Sequence, residues 1–435
     1  MLLAFINNDL RIAYGVCQII VKDMFTRLNY SLFVFILISC LCISCCGKKN
    51  ENGVSPILFN PNIVVIDVDH AEVCNKILFS SFFDAPEVVI LETNENCMIS
   101  NIQSIDYYNG KFYILDDVSN ALFVFSDDGS YIQNIGRQGN GHGEYIEISD
   151  FSIDRQKGEL YLWDEAMDMA LKFNIKTGEY ISSIRTERNG ERSFCMQYNN
   201  GHLFVNRTSI DDDGEQYLLK EIDAENGKQI ATYLDAKDYN KGWNYPLRFP
   251  FTFFYAKNSD SPKYVEMFSD TIVSITPDGI IPSYVIKSHD FISKEEVTQL
   301  KRTQKDPFDY NIDALHKLQR ISHISRYADF KDAVYLEYEK GEEHYYLIYN
   351  EKDKKTIITP SFVNDYISKD LTIPMKVCYS DKNGILTYIM PDHVPYFVKH
   401  IIKEDLLEND IDDFEQLRLL KEDSNPILFY HKFRR

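Results

Sequence analysis

Cysteine is scarce where a folded domain would use it. Five of the nine cysteines, Cys17, Cys40, Cys42, Cys45 and Cys46, lie in the first 46 residues, and only Cys74, Cys97, Cys195 and Cys378 occupy the rest of the chain. That distribution excludes a disulfide framework. The one C-x-x-C, Cys42-Ile-Ser-Cys45, sits in an apolar run, without the strand–turn–helix setting of a redox site or the second pair of a zinc site. Basic charge is also short. Against 66 Asp and Glu stand 46 Lys and Arg, a formal net charge of −20, and no Lys/Arg stripe runs along any segment. This argues against a nucleic-acid partner, because phosphate binding needs a basic face. Catalytic signatures are missing too: there is no H-E-x-x-H, G-x-S-x-G or Walker sequence, and none of the ten His forms a pair at helical metal spacing. No cofactor or resident metal is expected from the sequence.

What the chain does have is apolar mass: 435 residues, 44% hydrophobic and 14% aromatic, with 29 Tyr and 28 Phe. That is enough to bury a large core and excludes disorder as the main state. One stretch stands apart. From Leu28 to Cys46 no residue is charged; Arg27 precedes it, Leu32-Phe-Val-Phe-Ile-Leu-Ile38 forms its centre, and small residues with Cys end it before Lys48-Lys49. A basic residue, a short apolar region and a terminal Cys describe a secretory signal of the bacterial lipoprotein type. The other reading is a single membrane-spanning helix, which 19 uncharged residues just reach. Cys45, closing the apolar run, is the expected acylation site; Cys40, at the best lipobox match, and Cys46 are the alternatives. Met24 starts this signal better than Met1, because residues 1–23 place Asp9 and Asp23 ahead of the apolar region. Residues 1–46 are therefore an extension plus signal, and 47–61 a polar, flexible tether.

Past the tether the hydrophobic period is two. Ile102 to Asp116 reads as strand, Asn-Gly turn, strand, and Ala121 to Ile135 as strand, Asp-Gly turn, strand. The unit recurs from Phe151 to Asp164 and from Ala170 to Ile181, so that Asp116 and Asp164 are 48 residues apart, and Gly129 and Gly178 are 49 apart. Less exact copies follow at 201–227, 264–279, 333–349 and 377–389, with a late strand at 426–433. A period of this length with four strands per unit predicts an all-β fold: a six-bladed β-propeller of four-stranded antiparallel blades over 62–435. Closing the ring requires a strand from the other end of the chain, either Asn62–Val68 or Glu87–Leu91, since an open ring would leave two unpaired edges. Short helical insertions are predicted near 293–322 and 403–420. The first opens on the capping box Ser293-Lys-Glu-Glu296, and Ile312, Leu315, Leu318 and Ile321 line a second helix. The simplest function for these helices is to pad the ring.

With the glycine-rich link Gly136-Arg-Gln-Gly-Asn-Gly-His-Gly143 between them, the first two units resemble NHL-type blades. The whole chain resembles the six-bladed β-propeller lipoproteins of gut Bacteroides. The resemblance rests on the Cys-ending leader, Phe268-Ser-Asp-Thr-Ile-Val-Ser-Ile275 with Gly279-Ile-Ile-Pro-Ser-Tyr-Val-Ile286, the helical insert that follows, and Asn425-Pro-Ile-Leu428. It implies a propeller fold and a lipid-anchored location in the cell envelope, and carries no activity with it.

Candidate chemistry is sparse. Gly139–Gly143 lacks a following helix to aim N–H groups at a phosphate, which makes it an inter-blade turn. Ser209-Ile-Asp-Asp-Asp-Gly-Glu215 matches a calcium loop only in its middle. Arg137, His142, Trp163 and Asp164 lie at blade connections, where an aromatic face could stack on a sugar and polar groups could bind its hydroxyls. The alternative is structural: Trp163 filling space between blades and Asp164 capping a turn. The expected function is a lipid-anchored, non-catalytic binding or scaffold module for a glycan, a peptide or an outer-membrane protein. The enzyme alternative is a lactonase- or hydrolase-like propeller with an axial divalent metal, or a lyase-like one, and it needs carboxylate, Asn or His groups converging from several blades.

Overall fold

A computed structural model describes residues 53–186, 191–209, 216–243, 253–303, 312–367, 375–389, 391–402, 417 and 420–434. Met24, the acylation candidates Cys40, Cys45 and Cys46, residues 210–215 of the partial calcium-loop match and nearly all of the expected 403–420 helix lie outside them. Among the described residues no helix is long and apolar enough to cross a membrane, and the cysteines are free thiols.

Successive side chains of a strand point to opposite faces. Here both faces of the middle strands are apolar, which demands packing on two sides. Along Lys111–Asp116, Phe112 and Ile114 turn one way, while Tyr113 and Leu115 turn the other and enter a different cluster. Each cluster is the seam between two neighbouring sheets. Six seams exist, joining blades 1 and 2, 2 and 3, and so on until blade 6 meets blade 1. The fold is an all-β six-bladed propeller with short helical insertions. Its innermost strands are Ser104–Tyr107, Ile148–Asp154, Met196–Asn199, Phe254–Tyr255, Ile321–Phe330 and Met375–Ser380. Tight turns join the strands; Asn109 and Gly110, for example, both take the positive φ that a two-residue hairpin turn needs.

The segment before blade 1 runs round the outer rim. Ser55 pairs with Tyr233 of blade 3, Val64–Asp67 adds a parallel fifth strand to blade 4, and Glu72–Val73 does the same for blade 5. Glu87–Ile90 then closes blade 6, antiparallel to Ile427–Lys432, with Val89 opposite Leu428. Both closure candidates from the sequence are thus strands, but only the second completes the ring. The blades are not uniformly four-stranded, because an extended segment and an unpaired blade edge satisfy each other's backbone groups. The same demand reaches into the stretch that the sequence reads as tether: Ser55 and Leu58 donate N–H bonds to Thr232 and Ile280, and the Asn60 side chain donates to the Pro282 carbonyl.

The capping box is present, with Ser293 N–H donating to Glu296 Oε2 (2.8 Å) and Glu296 N–H to Ser293 Oγ (3.2 Å). Helix Lys294–Thr303 buries Val297 and Leu300 on the seam of blades 3 and 4. The second helix, Ile312–Lys317, is shorter than the apolar spacing suggests. Ile321 belongs to the innermost strand of blade 5 instead, where a place in the sheet outcompetes one more helical turn.

Candidate functional site

Propeller ligands commonly sit on the axis, where innermost strands converge. This axis is filled by the protein itself. After Phe254–Tyr255 the chain turns inward at Ala256 (φ 48°), and the following residues cross the channel. Lys257 Nζ reaches Asp150 Oδ1 of blade 2 (2.6 Å) and the Phe151 carbonyl (2.9 Å), while the Asn258 side chain donates to the Ser380 carbonyl of blade 6 (2.9 Å). Gln197 of blade 3 donates to the Lys257 carbonyl. On either side of this plug remain cavities of about 70 and 80 Å³. These have room for a few waters and fall well short of the ~300–1,000 Å³ of ordinary ligand sites.

Two of the axial carboxylates are matched from within the protein. Asp106 accepts from Arg155 Nη2 (2.5 Å), Asp150 is held by Lys257 and by the Met196 N–H, and Arg326 Nη1 donates to the Val377 carbonyl. Asp106 and Asp150 each already have a side-chain cation on them, so these two carboxylates are poorly placed to hold an axial metal. Among the described residues no three His, Cys, Asp or Glu come together as a metal-binding group. Burial pushes the Cys378 thiol up to about 12 and raises Cys195 as well, so neither supplies a thiolate near neutral pH.

A larger space, about 470 Å³, opens at the seam where blade 6 meets blade 1. Its walls are Tyr107 and Phe112 from blade 1, Tyr379, Leu386 and Tyr430 from blade 6, and Val89 of the closing strand. The Tyr107 ring lies 4.9 Å from Phe112 and 6.4 Å, edge-on, from Tyr379. Polar groups come from three turns or strand ends: Asp127 and Asp128, Asp381 and Asn383, and Glu87. The turn carrying Asp127 and Asp128 is fixed by Gly129, whose carbonyl accepts the Glu92 N–H (2.8 Å) against the end of the closing strand. Asp381 is fixed by the N–H groups of Asn383 and Gly384 and by Tyr430 Oη (3.0 Å).

The model of a family described as Domain of unknown function (DUF4934) matches residues 63–432. The chain belongs to the DUF4934 family. No curated protein matches it. Among solved structures, a Bacteroides fragilis protein named as exported superposes with a TM-score of 0.68 at 19% identity, covering 86% of this chain and 100% of that one. A DUF4221 member from Bacteroides vulgatus matches at 0.46 and 12% identity, over 81% and 97% of the two chains. The first supports the fold of this DUF4934 propeller and nothing further.

The four residues singled out from the sequence are not brought into one site, and none lines the three cavities described. Arg137 pairs with Glu144 within the link between blades 1 and 2, and His142 sets its ring edge-on to Tyr180 (4.8 Å). Trp163 is fully buried in the seam between blades 2 and 3, where its Nε1–H donates to the Ser193 carbonyl (2.7 Å). Asp164 is fully buried as well. It accepts the N–H groups of Ile146 (2.8 Å), Ala166 (3.1 Å) and Met167 (3.2 Å), tying the chain entering blade 2 to the turn leaving its second strand. Asp116 does the same in blade 1 with Ser100, Asn101, Val118 and Ser119, and Asn206 takes Phe194 and Cys195 in blade 3. The 48-residue recurrence of Asp was the signal of this duty, since Asp116 and Asp164 each end the second strand of their blade.

Asp164→Ala is expected to cost about 3 kcal/mol, since it leaves buried N–H groups unpaired. Asp164→Asn should recover most of that, as Asn206 manages with an amide oxygen. Urea midpoints of the two variants would decide; equal loss in both would rule out the capping explanation.

Proposed function

We propose that this DUF4934 propeller is a lipid-anchored, non-catalytic binding or scaffold module of the bacterial cell envelope, and that the cleft between blades 1 and 6 is its mouth for a glycan, peptide or envelope protein. The observation that carries this reading is the contrast between the two sites: the axis is plugged and keeps only small cavities, whereas the seam holds a cavity of about 470 Å³ with aromatic walls and a polar rim. Aromatic faces with a few placed polar groups are the usual make-up of a recognition site. The leader ending at Cys45 supports the anchor, and the exported Bacteroides relative is in keeping with the location. The enzyme alternative draws no support from Asp106 and Asp150, which are already paired.

The test is isothermal titration of the mature chain against a panel of bacterial and dietary oligosaccharides and envelope-derived peptides, repeated with Tyr379→Ala. Tyr379 is half-buried at the cleft, so the variant is expected to fold and to weaken binding at least about tenfold. A ligand that binds with unchanged affinity to Tyr379→Ala would move the mouth elsewhere, and turnover of any panel member would overturn the non-catalytic reading.

A further inference from the structure

We propose that the seam cleft selects an organic ammonium group carried on a ring or other apolar body. This rests on the reading of the cleft as a binding mouth and adds the charge of what it takes. The lining contributes four carboxylates, Glu87, Asp127, Asp128 and Asp381, and no Lys, Arg or His. Glu87 is matched by Lys432 across the closing pair of strands. Among the described residues the other three make no ion pair: Asp128 accepts from Ser126 Oγ and the Ser130 N–H, and Asp381 from backbone N–H groups and a phenol. This differs from Asp106 and Asp150 on the axis, each of which carries a side-chain cation of the protein. The seam has been left with uncompensated negative charge beside an apolar, aromatic space.

The walls feel that charge. Burial first, then the charges of Asp127, Asp381 and Glu87, raise the Tyr107 phenol above its ordinary value, and burial followed by Asp381 does the same for Tyr430. The phenols therefore stay neutral, with their rings available as π-faces. An ammonium ion is attracted both by aromatic faces and by carboxylates, and the low-dielectric wall strengthens the second attraction. A neutral ligand of the same shape gains only the stacking and desolvation terms, and an anion is repelled. The carboxylates belong to turns held by their own backbone, so the negative rim is in place before any ligand arrives. The charge separates this cleft from a general aromatic sugar platform, since most sugars are uncharged.

Benzylamine and benzyl alcohol, which share ring and length and differ in charge, are the probes, titrated into the mature chain by chemical-shift perturbation at low salt and again at 0.5 M salt. Benzylamine is expected to bind at least about tenfold tighter, and salt to weaken the amine alone. Asp127→Asn and Asp381→Asn should each weaken the amine about threefold and together about tenfold, leaving the alcohol unchanged. Both keep an acceptor oxygen, and the dispersion of the spectra shows whether they fold. Equal affinity for the two probes would overturn the ammonium assignment while leaving the cleft as a binding mouth. No binding of either probe would overturn it too, and if Tyr379→Ala also spares every ligand found in the wider panel, the mouth itself lies elsewhere.

Discussion

Gly129→Ala is expected to destabilise the propeller by more than about 4 kcal/mol, whereas Gly201→Ala costs about 1–2 kcal/mol. Both glycines sit at φ +85°, so the penalty for placing an L side chain in the left-handed region is shared. What differs is the space. A Cβ at Gly201 would meet nothing within 4 Å, but one at Gly129 would lie 2.1 Å from the Ile90 carbonyl oxygen and 2.8 Å from its carbon. Those atoms belong to the strand that closes the ring and cannot yield as a flexible side chain does. The same turn glycine recurs in blades 2 and 3, where a Cβ would lie 3.0 Å from the Gln133 side chain at Gly178 and 2.5 Å from the Arg185 carbonyl oxygen at Gly227. The expected order of loss is therefore Gly129, Gly227, Gly178, Gly201. Chemical denaturation of the four alanine variants checks it, and equal losses at Gly129 and Gly201 would show that the closing strand moves aside at no cost. Asp127 and Asp128 ride on the same turn, so Gly129→Ala should also disturb the seam cleft.

Glu266→Gln is expected to stabilise the protein, increasingly so as pH rises. Glu266 is buried in blade 4 and held within a network that fixes its protonation. Tyr264 Oη lies 2.5 Å from Glu266 Oε1 and 3.0 Å from the Leu218 carbonyl oxygen. A phenol has one proton for those two acceptors. If it serves Leu218, Glu266 must carry its own proton and donate it to Tyr264. Burial supports the same assignment by pushing the Glu266 carboxyl up from 4.5 to about 8. Below about pH 4.5 both folded and unfolded chains hold this proton and it has no effect on stability. Between about 4.5 and 8 the unfolded chain has lost the proton and the folded chain keeps it, so stability falls as pH rises; above about 8 the loss levels off. A glutamine keeps a donor toward Tyr264 and removes the titration. At pH 8 the variant should gain a few kcal/mol, on the order of 2–4, and near pH 4.5 almost nothing. Urea midpoints of both proteins from pH 4.5 to 8.5 give the difference directly. Parallel curves would falsify the buried neutral acid.

Much of the ring was legible because it repeats. Asp116 and Asp164 mark the ends of second strands, Gly129 and Gly178 the turns that touch the preceding blade, and strict alternation placed Tyr161 and Trp163 on one face and Leu160 and Leu162 on the other. The same regularity hid the duty of Asp164: a buried acid beside a tryptophan reads as a ligand site until its counterparts in blades 1 and 3 are seen binding backbone N–H groups. The blade-5 strand starting at Ile321 was obscured for a related reason, since its apolar residue also fits the face of the helix before it.

The candidate site was not legible. Lys257 and Asp150 are 107 residues apart, and nothing near either one marks the pair. The seam cleft joins Glu87 and Val89 to Asp127 and to residues 379–430, and it exists only because the closing strand from one end of the chain meets a blade from the other.

By itself, then, the sequence determined the blade: strand length, turn glycines, capping acids and the two apolar faces, all set by interactions within about fifty residues and so written into a local period. Only the tertiary structure decided which loop fills the axis, which strand closes the ring and where uncompensated charge meets an aromatic wall. Those outcomes depend on how six blades meet around a centre, and contacts across a closed ring leave no period in the chain to read.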